Sequence, residues 1–85
     1  MHITPETDYA IRIVDFMAKN SGRLDAKTIS EKTSVPQTFA MKILRKLGSA
    51  DIVNSYKGTK GGYELRNAPS ELSLYDVVEA VERTY

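Results

Sequence analysis

Two groups of side chains in this 85-residue sequence have the chemistry of recognition rather than of bond-making. The first is Gln37, Thr38, Met41, Lys42, Arg45 and Lys46, spaced as the outer face of one helix. Gln37 can make a bidentate pair of hydrogen bonds, matched best by an adenine edge. Thr38 can donate, accept or touch a thymine methyl. Met41 offers apolar contact only. Lys42 suits a guanine or a phosphate, and Arg45 and Lys46, a turn further on, suit phosphates. The second group lies in "YKGTKGGYEL", residues 56–65, where Lys57, Thr59 and Lys60 stand among three glycines. Lysines there can displace condensed counterions from a nucleic-acid backbone. Gly58, Gly61 and Gly62 permit a sharp turn and a close approach of backbone N–H groups to phosphate. Thr28 and Ser34 can donate to phosphates near a turn, and Thr7 and Tyr9 near the start of the first helix, with Arg12 in the same position. Each of these five also has a plainer reading as cap, surface or core. The plainer reading of the two main groups is a solvated helix face and a soluble hairpin edge.

The distribution of charge favours an anionic partner. The formal net charge is only +1, but residues 32–66 hold seven Lys/Arg against two Asp/Glu, whereas residues 67–85 hold one Arg against four acids. A basic middle between neutral and acidic flanks marks a localised surface for something negative.

Enzymatic chemistry finds little to work with. The lone histidine is His2, at the terminus, so no Ser/His/Asp set can be assembled and no metal site has a second nitrogen or sulfur ligand. "GTKGGY" lacks the Gly-Lys-Ser/Thr ending of a phosphate-binding P-loop. The sequence has no cysteine, which excludes disulfides, thiolate zinc sites and cysteine-ligated clusters within these residues. The paired acids Glu79 and Glu82 read as solubilising charge on a helix surface. No apolar run nears the roughly 20 residues that span a bilayer. "MHITPETDYA" lacks the features of a signal peptide, so a cytoplasmic location is expected.

The elements that must position these residues follow from period and punctuation. The length fits one domain, residues 1–85. A first helix, about 5–20, starts with Thr4 as cap, Pro5, and the acids Glu6 and Asp8, and carries Ala10, Ile13, Val14, Met17 and Ala18 at helical spacing. "NSG" ends it. A second helix, about 26–33, is capped by Asp25, with Leu24 and Ile29 at staple spacing. "TSVP" breaks it. A third, about 36–48, turns Ala40, Ile43, Leu44 and Leu47 inward. Two strands form a hairpin over about 52–66. A fourth helix, about 73–83, opens on Ser73 with Asp76 three residues later and Leu72 and Val77 at staple spacing. The fold class is mainly α with a two-stranded β wing: a winged helix-turn-helix, with the third helix as its recognition helix.

"DYAIRIVDFMA", "ISEKTSVP", "IVNSYKGTKGGYEL" and "LSLYDVVEAVE" resemble the DNA-binding domain of the Rrf2 family of bacterial transcription regulators. The resemblance covers nearly the whole chain. It implies sequence-specific binding of operator DNA by a homodimer. It also implies a long dimerisation helix after the fourth helix, preceded by a loop that often carries three cysteines holding an iron–sulfur cluster. The chain ends at Tyr85, before that region, so it resembles a member cut after the winged domain, or one represented only that far. A cluster is expected only if cysteines follow Tyr85. Two departures from the family pattern stand in the turn and third helix: Pro36 in place of a small polar residue, and Met41–Lys42 where a Glu-Gln pair is common. The partner expected is double-stranded DNA, with no membrane. The alternative is a winged helix whose wing and fourth helix dock a protein instead.

Overall fold

Thr4 opens the first helix by accepting the Thr7 N–H on its hydroxyl at 3.1 Å, and Pro5 takes the first helical position, where no N–H is needed. In the computed structural model, which describes residues 4–59, 61–66 and 73–82, this helix is α1, Pro5–Lys19. It buries Ala10, Ile13, Val14 and Met17 on one stripe. Asn20 closes it, its side-chain amide donating to the Phe16 carbonyl at 2.9 Å. Helix α2, Ala26–Thr33, is capped by Asp25, whose carboxylate accepts the Thr28 N–H at 3.0 Å.

The turn into the next helix is built by Ser34 and Val35. Ser34 takes a left-handed conformation, φ 58°, and the Val35 N–H returns to the Ser30 carbonyl at 3.1 Å. Val35 is thereby driven into the core, 1% exposed. Pro36 forms the N-cap of α3, Gln37–Ser49, and supplies no side-chain hydrogen bond, so the helix starts one residue later than Pro36 itself. Ala40, Ile43, Leu44 and Leu47 are all buried, as their spacing requires.

Strands β1, Val53–Tyr56, and β2, Gly62–Leu65, pair antiparallel with Val53 opposite Leu65 and Tyr56 opposite Gly62. The loop between α1 and α2 joins this ladder: Leu24 exchanges both backbone hydrogen bonds with Tyr63, at 2.8 and 2.9 Å. Helix α4, Leu74–Glu82, opens on a reciprocal cap, the Ser73 hydroxyl accepting the Asp76 N–H at 3.1 Å and the Asp76 carboxylate accepting the Ser73 N–H at 3.4 Å. Val77 and Val81 complete the core against α1 and α3. Leu72, expected as half of a hydrophobic staple, lies outside the described residues, as does Lys60. Three packed helices, a hairpin and a closing helix make a winged helix-turn-helix.

Candidate nucleic-acid interface

The stripe that buries Ala40, Ile43, Leu44 and Leu47 turns the opposite face of α3 to solvent. Gln37, Thr38, Met41, Lys42 and Arg45 are all exposed and together line a shallow hollow of about 410 Å³. A second hollow, of about 460 Å³, runs from that face to the wing. Met41 and Arg45 form its helical wall, and Asn54, Ser55 and Tyr63 form its wall on the hairpin. Met41 and Arg45 thus stand between the two hollows, and the outer face of α3 and the base of the wing share one surface. With the described residues, Arg45 and Lys57 form no ion pair.

The glycines of the wing answer a demand of the protein's own backbone. A Cβ on Gly61 would sit 2.5 Å from the Tyr56 carbonyl oxygen and 2.9 Å from that of Gly58, and the Gly61 N–H donates to this second carbonyl at 3.0 Å. Gly62, at φ +143°, would bring a Cβ within 2.8 Å of the Leu24 carbonyl oxygen. The turn can close, and the Leu24 bridge can form, only without side chains at these two positions. Gly58 and Thr59 are exposed at the tip. Arg23 lies over the Tyr56 ring, 3.6 Å from its centroid, and Tyr56 in turn donates to Glu64 at 3.2 Å. Residues 23 and 24 therefore brace the hairpin. They carry no strand signal in their sequence, because a one-residue bridge has no periodicity to read.

The expected backbone contacts divide. Ser34 is exposed at the turn, and Thr28 is half-buried beside the Asp25 carboxylate. The Thr28 hydrogen bonds hold the Asp25 carboxyl below the ordinary carboxylate value. Thr7 is corrected: it is fully buried, and its hydroxyl donates to Glu82 at 2.9 Å, so it presents nothing to a ligand. Glu82 correspondingly carries a tie between α1 and α4 beyond a solubilising charge, and Glu79 accepts from the Tyr75 hydroxyl, whose pKa it raises. Tyr9 is half-buried, edge-on to Phe39 at 5.6 Å, with the Arg12 guanidinium over its ring and paired to Asp8 at 2.8 Å.

Lys46 does not face outward with its neighbours. It is half-buried, its ammonium donating to Glu6 at 2.9 Å and to the Val81 carbonyl at 3.1 Å. It sits on the border between the outer face and the core stripe, and a carboxylate on α1 draws it inward.

An exposed outer face of α3 beside a braced wing defines the winged helix-turn-helix class. Comparison with known proteins gives the family. The Rrf2 family, described as iron-dependent transcriptional regulators, matches residues 3–85, and the chain belongs to it. It is 34% identical to protein aau3 of Rhizobium meliloti over 100% of its own length and 56% of that protein's. It is 33% identical to the HTH-type transcriptional regulator NsrR of Bacillus licheniformis, covering 96% of this chain and 59% of that one. The structure of CymR, the global cysteine regulator of B. subtilis, superposes with a TM-score of 0.90 at 24% identity, over 96% of this chain and 65% of that one. The chain therefore spans less than two thirds of the length of these relatives. The family is one of transcriptional regulators, not enzymes.

The family description names iron, and the residues present do not fit an iron site. There is no cysteine, and the one histidine, His2, lies outside the described residues. Among the described residues no three His, Cys, Asp or Glu side chains come together as ligands. No helix among them is long and apolar enough to cross a membrane.

Proposed function

We propose that this domain is the operator-reading part of a transcriptional regulator. It sets the N-terminal outer face of α3 into the major groove of duplex DNA and the wing against the backbone or the minor groove. The continuous surface from Met41 and Arg45 to the wing residues Asn54 and Ser55 carries this reading. Gln37, Thr38, Met41 and Lys42 read base edges. Thr28, Ser34, Arg45, Lys57 and Lys60, with the backbone of Gly58, Thr59, Gly61 and Gly62, grip phosphates. Thr7 and Lys46 serve the protein's own packing instead. A domain this small meets few phosphates, so two copies act together, each on a half-site about one DNA turn (~34 Å) from the other. DNA as the partner places the protein in the bacterial cytoplasm.

Binding to random and to selected duplexes at two salt concentrations tests the reading. DNA binding gives a steep loss of affinity with salt and a tighter selected site. A protein-docking module gives little binding to either.

A further inference from the structure

We propose that Glu6 is a specificity-determining counter-charge: it lowers the positive potential at Lys42 on the reading helix and so limits indiscriminate attraction to DNA. The inference rests on the DNA-binding reading above. Lys42 and Lys46 stand one turn apart on α3, and the same carboxylate oxygen of Glu6 faces both, 2.9 Å from the Lys46 ammonium and 3.7 Å from that of Lys42. One negative charge therefore serves two positive ones, unequally. Lys46 is fixed, its side chain 24% exposed and its ammonium held also by the Val81 carbonyl. Lys42 is 57% exposed and sits beyond hydrogen-bond length from Glu6, so it can swing to a ligand. Glu6, 22% exposed and gripped by Lys46, cannot follow it.

A phosphate arriving at Lys42 therefore meets a carboxylate fixed close behind the ammonium. That repulsion acts wherever Lys42 must settle on a phosphate, as in sequence-independent binding, which is electrostatic. Base contacts from Gln37 and Thr38 do not depend on it. On a selected site Lys42 meets the uncharged edge of a base, where the carboxylate repels little, so the charge penalises random duplex more than the selected one and keeps Lys42 from settling on arbitrary phosphates.

Glu6→Gln keeps the shape and an acceptor for Lys46 while removing the charge. Its affinity for a random-sequence duplex at low salt should rise roughly threefold to tenfold, and the slope of log K against log salt should steepen by up to about 0.9. The ratio of selected to random affinity should fall. In a Lys42→Gln background the gain should vanish. A folded Glu6→Gln protein with unchanged random-duplex affinity and slope overturns the proposal, as does a gain that persists without Lys42.

Should Glu6→Gln fail to fold, Lys46→Met predicts the opposite sign. Glu6, released from Lys46, neutralises Lys42 fully, so random-duplex affinity and slope both drop. Neither drops further when Lys46→Met is added to Lys42→Gln. A loss that persists in that background means Lys46 touches phosphate itself, and the proposal falls. A wild-type chain that binds no duplex at low salt removes the DNA reading and this inference together. One that binds, with Glu6→Gln indistinguishable from it, removes this inference alone.

Discussion

Gln37 and Lys46 lie nine positions apart on one helix, and what each can do is decided by different neighbours. Gln37 is exposed in the first turn, where side chains of a recognition helix reach base edges. Gln37→Ala should cost about 1–3 kcal/mol on the selected site and much less on random duplex. Equal losses on both, in a titration at fixed salt, would show that it does not read bases. The exposure of Gln37, Thr38, Met41, Lys42 and Arg45 was legible, because the apolar period of Ala40, Ile43, Leu44 and Leu47 fixes which side of the helix is left over. The fate of Lys46 was not. It depends on Glu6, 40 positions away in the chain, and no local pattern encodes that pairing. Thr7 was missed in the same way, since its partner Glu82 is 75 positions distant. Asp25 shows a local feature with a pH signature. Its carboxyl is depressed by the Thr28 hydrogen bonds, so the stability it adds is fully present above the ordinary value of 3.8 and is lost as pH falls through its lower folded value. The melting temperature of Asp25→Ala should therefore lie below wild type at neutral pH, and the gap should close as the solution is acidified below 3.8. A gap that is constant down to strong acid would mean the carboxylate charge is not what caps α2.

The wing is the element in which sequence and structure overlap least simply. Its existence and its glycine-rich tip follow from two short apolar runs around "KGTKGG". Its bracing does not, because Leu24 bridges to Tyr63 and Arg23 stacks on Tyr56 from a loop between two helices. Function alone does not explain the glycines either. Gly61→Ala puts a methyl against two carbonyl oxygens of the same turn, one 2.5 Å away, and backbone cannot yield as a flexible side chain would. The substitution should cost about 1–3 kcal/mol, and hydrogen exchange should rise first in Val53–Tyr56 and Gly62–Leu65 rather than in the helices. Uniform exchange across the domain would mean that the hairpin and the core melt as one unit. The charge on the wing is separable from its shape. Lys57→Ala with Lys60→Ala should leave the melting temperature near wild type, weaken binding to all duplexes alike and flatten the salt slope by up to about 2. A change confined to one sequence would place these lysines at base edges instead.

At the scale of the whole molecule, α1 is the strut on which the reading surface is mounted. Its inner stripe packs against α2, α3 and α4, and its first turn reaches both Lys46 on α3 and Glu82 on α4. The reading helix is thus fixed on its inner side by the core and at its C-terminal half by polar ties, which leaves its N-terminal outer face rigid and open. On the proposed reading a rigid reader brings little adaptable contact area, so its affinity is set by the few cations assigned to phosphate, Arg45, Lys57 and Lys60, joined by Lys42 on random duplex. At about 0.9 per phosphate neutralised, one copy should show a salt slope no steeper than about −3 to −4. Two copies placed by a shared dimer interface should double it, because each adds its own set. The spacing of half-sites then becomes a geometric test. On duplexes carrying two selected half-sites, affinity for the dimeric protein should peak when their centres are about 10–10.5 base pairs apart, or a multiple of that. Adding about half a turn puts the second half-site on the far side of the duplex, beyond the reach of a rigid pair. Binding there should fall to the affinity and slope of a single half-site. An affinity indifferent to spacing would mean that the two domains are joined flexibly or act alone.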